Sequence, residues 1–174
     1  MPLQPANLMA SGYIVPSRFV RADASSSPVG AGGVTSQAGF KCTQAKAGDI
    51  TIGVSQVGTN YPPVNDPAIS ILPVAAIPGQ QVQIFGQGSS DILLEMAATC
   101  NEGDFLCPTG TDENITLSTP GVLNDPNAGR GTPIDKTGTT TAPQWYGARA
   151  LQPCTVAGEK IRVEIVEGYY TYHS

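Results

Sequence analysis

The sequence predicts a mostly β protein: a small antiparallel barrel or sandwich of about nine short strands, with long loops and at most one or two short helices. Dense glycine and proline punctuation predicts it, together with a period-2 alternation of polar and apolar residues wherever the punctuation leaves room. Glycine (20) and proline (15) make up one residue in five of the 174, still below the roughly 25–30% that marks low-complexity disorder. Only 17–27 and 89–102 run more than ten residues without either. A packed helix usually needs about 10–14 residues, so a helical bundle is excluded.

The first of these windows opens as Arg18-Phe-Val-Arg21 and decays into Ser25-Ser-Ser27, a strand running into a loop. The second, from Asp91 to Glu102, fits either one helix of about three turns or a strand ending near Glu95 followed by a turn. Its flanks, Gln87-Gly88 and Glu102-Gly-Asp104, are hairpin-like and favour the strand. The clearest alternation is Lys160-Ile-Arg-Val-Glu-Ile165, and Gln81-Val-Gln-Ile84 repeats it, so each of these strands has one wet face. Further strands are expected within 13–20, 40–45, 50–57, 114–117, 145–151 and 169–172. Short strands at this density imply an antiparallel architecture, not alternating βαβ units.

A faint internal echo runs through these elements. Pro78-Gly-Gln80 and Ala157-Gly-Glu159 each turn into one of the two alternating strands, and each is preceded by a small-residue strand, Ile52-Gly-Val-Ser-Gln56 or Tyr146-Gly-Ala-Arg-Ala150. A mid-strand glycine favours close backbone approach or a bulge. Gly53 and Gly79 lie 26 positions apart but Gly147 and Gly158 only 11, so the first copy carries an insertion. That insertion is proline-rich (Tyr61-Pro-Pro-Val-Asn-Asp-Pro67) and is expected to be a surface loop over 58–79. A second long loop, 120–143, exceeds the usual length of structureless connections, and is expected to be functional or mobile.

At 18.0 kDa the chain fits one domain. Its organisation is expected to be an extended N-terminal arm over 1–12, disordered alone, followed by a single β-rich domain over 13–174. Pro2 and Pro5 oppose regular pairing in that arm, and Leu3, Leu8 and Met9 have no local element to bury them. Charged residues reach only 13%, about half the roughly 25% of soluble domains, so partners are expected to cover part of the surface. Net charge is −5, and the nine basic residues are scattered. Nucleic-acid binding needs a concentrated basic face and is not expected. No stretch approaches the roughly 18 apolar residues of a membrane span, and Met1-Pro-Leu-Gln-Pro-Ala-Asn7 lacks the basic and apolar regions of a signal peptide. Synthesis in a cytoplasm without processing, and reduced cysteines, are therefore expected. Cys100 and Cys107 bracket a turn at 101–104 and could approach within disulfide distance.

Parts for catalysis are scarce. The single histidine, His173, sits one residue from the end of the sequence, where chains fray. The Cys100-x6-Cys107 pair has no second pair to complete a zinc tetrahedron. Ser55 has the wrong glycine spacing for a nucleophile elbow. Gly30-Ala-Gly-Gly33 and Gly86-Gln-Gly88 open no helix that could hold a phosphate, and the 14 carboxylates suggest no particular pair. Asn114-Ile-Thr116 matches a glycosylation acceptor, which matters only in a secreted chain. No enzyme, cofactor or metal is expected.

The order Pro16-Ser-Arg-Phe-Val20, Ile52-Gly-Val-Ser-Gln56, Pro78-Gly-Gln-Gln-Val-Gln-Ile84, Glu102-Gly-Asp-Phe-Leu106, Gly147-Ala-Arg-Ala-Leu151 and Ala157-Gly-Glu-Lys-Ile-Arg-Val163 resembles that of the capsid cement, or head decoration, proteins of tailed bacteriophages. The long 120–143 loop, the four cysteines and the tyrosine-rich C-terminal segment depart from that pattern. The resemblance implies a non-enzymatic virion protein on the outer surface of an icosahedral head, made in the host bacterial cytoplasm. Its implied partners are the major capsid protein and itself, as a homotrimer at three-fold or quasi-three-fold positions. Candidate capsid-binding residues are Leu3, Leu8, Met9, Tyr13, Arg18, Phe19 and Arg21, in the arm and the strand after it, where Arg18 and Arg21 put positive charge on an acidic chain. The alternative is a receptor- or glycan-binding β-domain of a phage spike or fibre, for which Trp145, Tyr146, Tyr169, Tyr170 and Tyr172 would supply aromatic platforms.

Overall fold

The computed structural model describes residues 6–23, 41–60, 73–111, 125, 127–137 and 144–171. All regular structure among them is β. Twelve strands occur where about nine were expected: β1 (Ala6–Ala10), β2 (Phe19–Ala22), β3 (Lys41–Gln44), β4 (Gly53–Gly58), β5 (Gln81–Phe85), β6 (Ile92–Glu95), β7 (Phe105–Pro108), β8 (Gly131–Pro133), β9 (Gln144–Tyr146), β10 (Ala148–Ala150), β11 (Lys160–Glu164) and β12 (Gly168–Tyr170). The 91–102 window is a strand followed by turns. The 145–151 strand is two, β9 and β10, interrupted at Gly147. The expected strand over 114–117 lies outside the described residues.

Strands β1 to β5 close into a barrel in the order β1-β3-β2-β4-β5. Every junction is antiparallel except β1–β3, which is parallel. Strand β1 therefore belongs to the barrel wall, held on both edges, and residues 6–10 are not the free arm that the flanking prolines suggested. Strands β6-β11-β10-β7-β8 form a second sheet, and a parallel bridge, Met96 with Gly131, brings β8 back to the end of β6. Strand β8 lies inside the expected 120–143 loop, so over 127–137 that loop is ordered by its ladder with β7.

The second unit repeats the first. Leu8 faces Val82 and Asn7 faces Gln83 in the β1–β5 ladder, just as Leu94 faces Ile161 and Leu93 faces Arg162 in β6–β11. The parallel pair Ala10–Cys42 corresponds to Met96–Gly131, and the bridge Ile14–Ala76 to Cys100–Cys154. Loop hydrogen bonds recur too. Gly79 N–H donates to the Ala10 carbonyl (2.8 Å) as Gly158 N–H does to Met96 (2.7 Å), and Ser17 N–H to Ser55 (2.7 Å) as Gly103 N–H does to Ala150 (2.8 Å). Strands β1 to β5 thus correspond to β6, β7, β8, β10 and β11, with β9 inserted and β12 appended. Gly79 and Gly158 both take left-handed φ, +83° and +91°, which glycine adopts without steric cost.

Each unit buries the inward face of its strands. Val20, Cys42, Val82 and Ile84 fill the barrel with Ala10, Ile14 and Ala76. A larger cluster in the second unit, built on Leu94, Met96, Leu106, Ile161 and Val163, also takes in Phe19, Ala45 and Val54 from the first. The units therefore share one core. Backbone bonds cross the seam as well: Phe19 N–H to the Gly129 carbonyl (2.7 Å), Ala47 N–H to Gly110 (2.9 Å) and Glu95 N–H to Ser17 (2.7 Å).

Candidate functional site

The residues singled out from the sequence divide between inside and outside. Phe19 has no accessible surface and points into the shared core. Arg18 is equally buried: its Nε lies 3.2 Å from Glu95 Oε2, and its Nη1 donates to the Ala128 carbonyl at 3.0 Å. Neither can offer surface to a partner, which corrects their assignment as shell-facing. The physical reason is the second unit, which covers a strand end that would lie at the surface of a lone barrel. Arg21 is partly accessible but forms an ion pair with Asp49 at 3.0 Å, so its charge is locally balanced. Leu8 packs against the barrel core, and Leu3 lies outside the described residues.

Alternation along β1 leaves Asn7 and Met9 on the outer face of the barrel, opposite Gln83 and Gln81 of β5. A shallow depression opens there beside the β4 irregularity between Ser55 and Gly58, lined by Asn7, Thr59, Gln81 and Gln83 among others. The lining of this depression is uncharged and rich in amides, while the exposed Lys41 of β3 stands beside Met9 on the same wall. Tyr13 is half-buried on the segment between β1 and β2. Of the predicted residues, Met9 and Tyr13 keep uncharged, partly accessible side chains, and Asn7, Gln81 and Gln83 lie on the same outer face as Met9. The period-2 pattern of β5 had marked the two glutamines as outward-facing without assigning them a role.

A buried charge cluster pins the seam. Glu95 accepts from Arg18 and, through Oε1, from Arg130 Nε at 2.8 Å, while Arg130 Nη1 donates to Asn127 Oδ1 at 2.8 Å. Burial lowers the Arg18 pKa, opposed by the attraction of Glu95, and among the described residues its buried Nη2 has no hydrogen-bond partner. Desolvation this deep is tolerated because the ions are paired. The cluster joins the start of β2, the end of β6 and the segment before β8. Arg18 has no accessible side-chain surface, and Glu95 and Arg130 keep only 12% and 20%, which suits a structural clamp.

A second surface is aromatic. Strands β9 and β12 pair with each other, placing Trp145 opposite Tyr169 and Tyr146 opposite Gly168. Trp145 and Tyr169 meet edge-to-face with centroids 4.8 Å apart, and Tyr146 stacks on Phe105 at 4.4 Å. Trp145 Nε1 reaches Thr51 Oγ1 at 3.4 Å, and Tyr169 stays 58% exposed. Phe105 is the counterpart of Phe19. The second unit covers Phe19, whereas the aromatic ribbon covers Phe105.

The thiols are all free and none is more than partly exposed. Burial, aided by Asp23, pushes Cys42 up to about 12, and burial pushes Cys107 up to about 11. Cys107 stands opposite Thr132, not Cys100. Cys100 is instead opposed to Cys154, an arrangement that the sequence, which sets them 54 positions apart, did not suggest. Among the described residues there is no group of three or more His, Cys, Asp or Glu side chains that could hold a metal ion, and no helix long and apolar enough to cross a membrane. His173, Tyr172 and Asn114 lie outside the described residues.

No family model matches the chain, and no curated protein is similar to it. Among solved structures, the chain is similar to the head fiber gp8.5 N base of bacteriophage phi29, with a TM-score of 0.49 and 11% identity over 93% of this chain and 92% of that one.

Proposed function

We propose that this chain is a structural, non-catalytic head-decoration protein that binds the outer surface of an icosahedral phage capsid and stabilises contacts between major capsid subunits. The observation that carries this reading is where the six cement-like motifs fall. They form three pairs on corresponding strands of the two units: 16–20 with 102–106 at β2 and β7, 52–56 with 147–151 at β4 and β10, and 78–84 with 157–163 at β5 and β11. The resemblance thus rests on the repeated framework and spans both units. A rigid double unit with an amide-rich outer face suits adhesion through area and repeated copies, since many weak contacts on a symmetric lattice add up to avidity. The face around Asn7, Met9, Tyr13, Gln81 and Gln83 is the proposed capsid contact, and a homotrimer at three-fold positions is the proposed assembly.

The test adds purified protein to expanded capsids lacking it and to unexpanded shells, then measures bound copies and resistance to heat and osmotic shock. Binding to expanded capsids with a gain in resistance supports the reading. A second reading, a glycan-binding module of a spike or fibre, is favoured by one observation: Tyr169 is exposed and braced edge-to-face by Trp145, and such rings can stack on sugar faces. Retention on immobilised glycans without capsid binding would establish it in place of the first.

A further inference from the structure

Cys100 and Cys154 lie on segments that join strands at one end of the second unit, and they face each other across an isolated antiparallel bridge. The Cys100 N–H donates to the Cys154 carbonyl, and the Cys154 N–H to the Cys100 carbonyl, both at 3.0 Å. Residues paired in this way have Cα atoms about 5.5 Å apart and side chains on the same face of the ladder, and disulfides span Cα separations of about 4.4–6.8 Å. Both residues are at the edge of the core, 7% and 2% exposed. A surface depression bounded by Thr99, Asn101, Pro153 and Thr155 opens over both of them, large enough to admit a small reagent. The corresponding bridge of the first unit joins Ile14 and Ala76, so the fold does not require cysteine at this position.

We propose that Cys100 and Cys154 form a disulfide-bonding pair, reduced when the chain folds and bridged when it meets a low-molecular-weight disulfide of the glutathione class. In the first step the Cys100 thiolate attacks one sulfur of the reagent, forming a mixed disulfide and expelling one small thiolate. The Cys154 thiolate then attacks the Cys100 sulfur and expels the second. Two protein thiols lose two electrons, the reagent gains them as two thiols, and the protein protons end on the departing thiolates. Burial raises both thiol pKa values, with neighbouring carboxylates adding to it, so the exchange is slow near neutrality without being barred. Cys154 Sγ now donates to the Val156 carbonyl at 3.2 Å, a bond that bridging replaces. The bridge would close a loop of more than 50 residues holding β7, β8, β9 and β10, long enough for a substantial effect on the unfolded chain.

The experiment incubates the purified full chain with oxidised glutathione, alkylates the remaining thiols in denaturant, and maps linked peptides by mass spectrometry. The expected result is a Cys100–Cys154 linked pair lacking two hydrogen atoms, with Cys42 and Cys107 alkylated. The melting temperature should rise by roughly 5–10 °C and return on reduction. Cys107→Ala should leave the linkage unchanged, and Cys154→Ala should stop at a glutathione adduct on Cys100. A dominant Cys100–Cys107 linkage, or four alkylated thiols after prolonged oxidation of the wild-type chain, overturns the proposal. Because the readout is on the isolated chain, failure here leaves the capsid reading standing, and the reverse holds too.

Discussion

Glu95 holds two arginines, Arg18 at 0% and Arg130 at 20% side-chain exposure, and the sequence offered no sign of this. Arg18 sits in a segment that reads as a strand approaching the surface, and alternation along one strand cannot reveal that another 70 residues of the same chain fold over it. Removing one member of a buried ion cluster leaves charge uncompensated, typically at about 3–5 kcal/mol. Glu95→Ala is therefore expected to lower the urea midpoint sharply without changing the shape of the folded spectrum at low temperature, whereas Arg149→Ala, which breaks the exposed Arg149–Glu164 pair, should cost about 1 kcal/mol or less. Equal effects would remove the clamp from the account. Asp104 and Asp125 supply the acid side. Burial raises each pKa, but hydrogen bonds outweigh it: Lys136 and the Asn101 N–H for Asp104, and the Asn127 and Thr111 N–H groups for Asp125. Both end below the ordinary 3.8. A carboxylate depressed in the folded state contributes stability that is complete above its unfolded pKa and lost as pH falls through the folded one. The melting temperature should fall as the medium is acidified below about pH 4, and the doubly substituted Asp104→Asn, Asp125→Asn chain should start lower at neutral pH and fall less.

At the scale of elements, the strands with strict alternation were legible and the short or proline-bounded ones were not. Strand β11 alternates exposed and buried along Lys160-Ile-Arg-Val, and β5 does the same. Strands β7 and β8 end on Pro108 and Pro133, which read as loop punctuation, yet proline is tolerated where a strand ends. Strand β1 was hidden for a similar reason, between Pro5 and the turn at Ser11-Gly12. Its pairing on both edges reverses the expectation for an N-terminal truncation. Deleting residues 1–12 removes a barrel wall, exposes the edges of β3 and β5, and should yield aggregated or broadly melting protein in scanning calorimetry; a sharp, unshifted transition would restore the free arm. Gly53, by contrast, was legible as a mid-strand glycine needing close approach. It has φ +142°, and a Cβ there would stand 2.2 Å from the Phe85 carbonyl oxygen. Gly53→Ala should destabilise by more than the ~1 kcal/mol scale of a simple backbone substitution, read as a lower melting temperature, while Gly48→Ala, with open space around it, should pay for φ alone.

At the scale of the whole molecule, the repeat was partly visible. The turn-plus-strand echo maps to β5 and β11, and the strands before it to β4 and β10. The matched glycines, however, are one residue out of register: Gly53 pairs with Val20, and the residue paired with Leu106, the counterpart of Val20, is Ala148, not Gly147. The rest was silent because a ladder fixes backbone pairing and burial, not identity. Among equivalent positions the units share Leu8 with Leu94, Phe19 with Phe105, Thr43 with Thr132 and Gly79 with Gly158, too few for a sequence comparison to see. The units differ most at β9 and β12, which cap in the second unit the face that the first buries against its neighbour. The proposed capsid contact lies instead on the barrel wall of the first unit. Electron cryomicroscopy of particles carrying this polypeptide tests that claim most directly. The account predicts symmetric density on the outer surface of the expanded head that accommodates the double unit, with the β1–β5 face against the major capsid protein. Density for this chain confined to tail or fibre tips, with a bare head lattice, would contradict it.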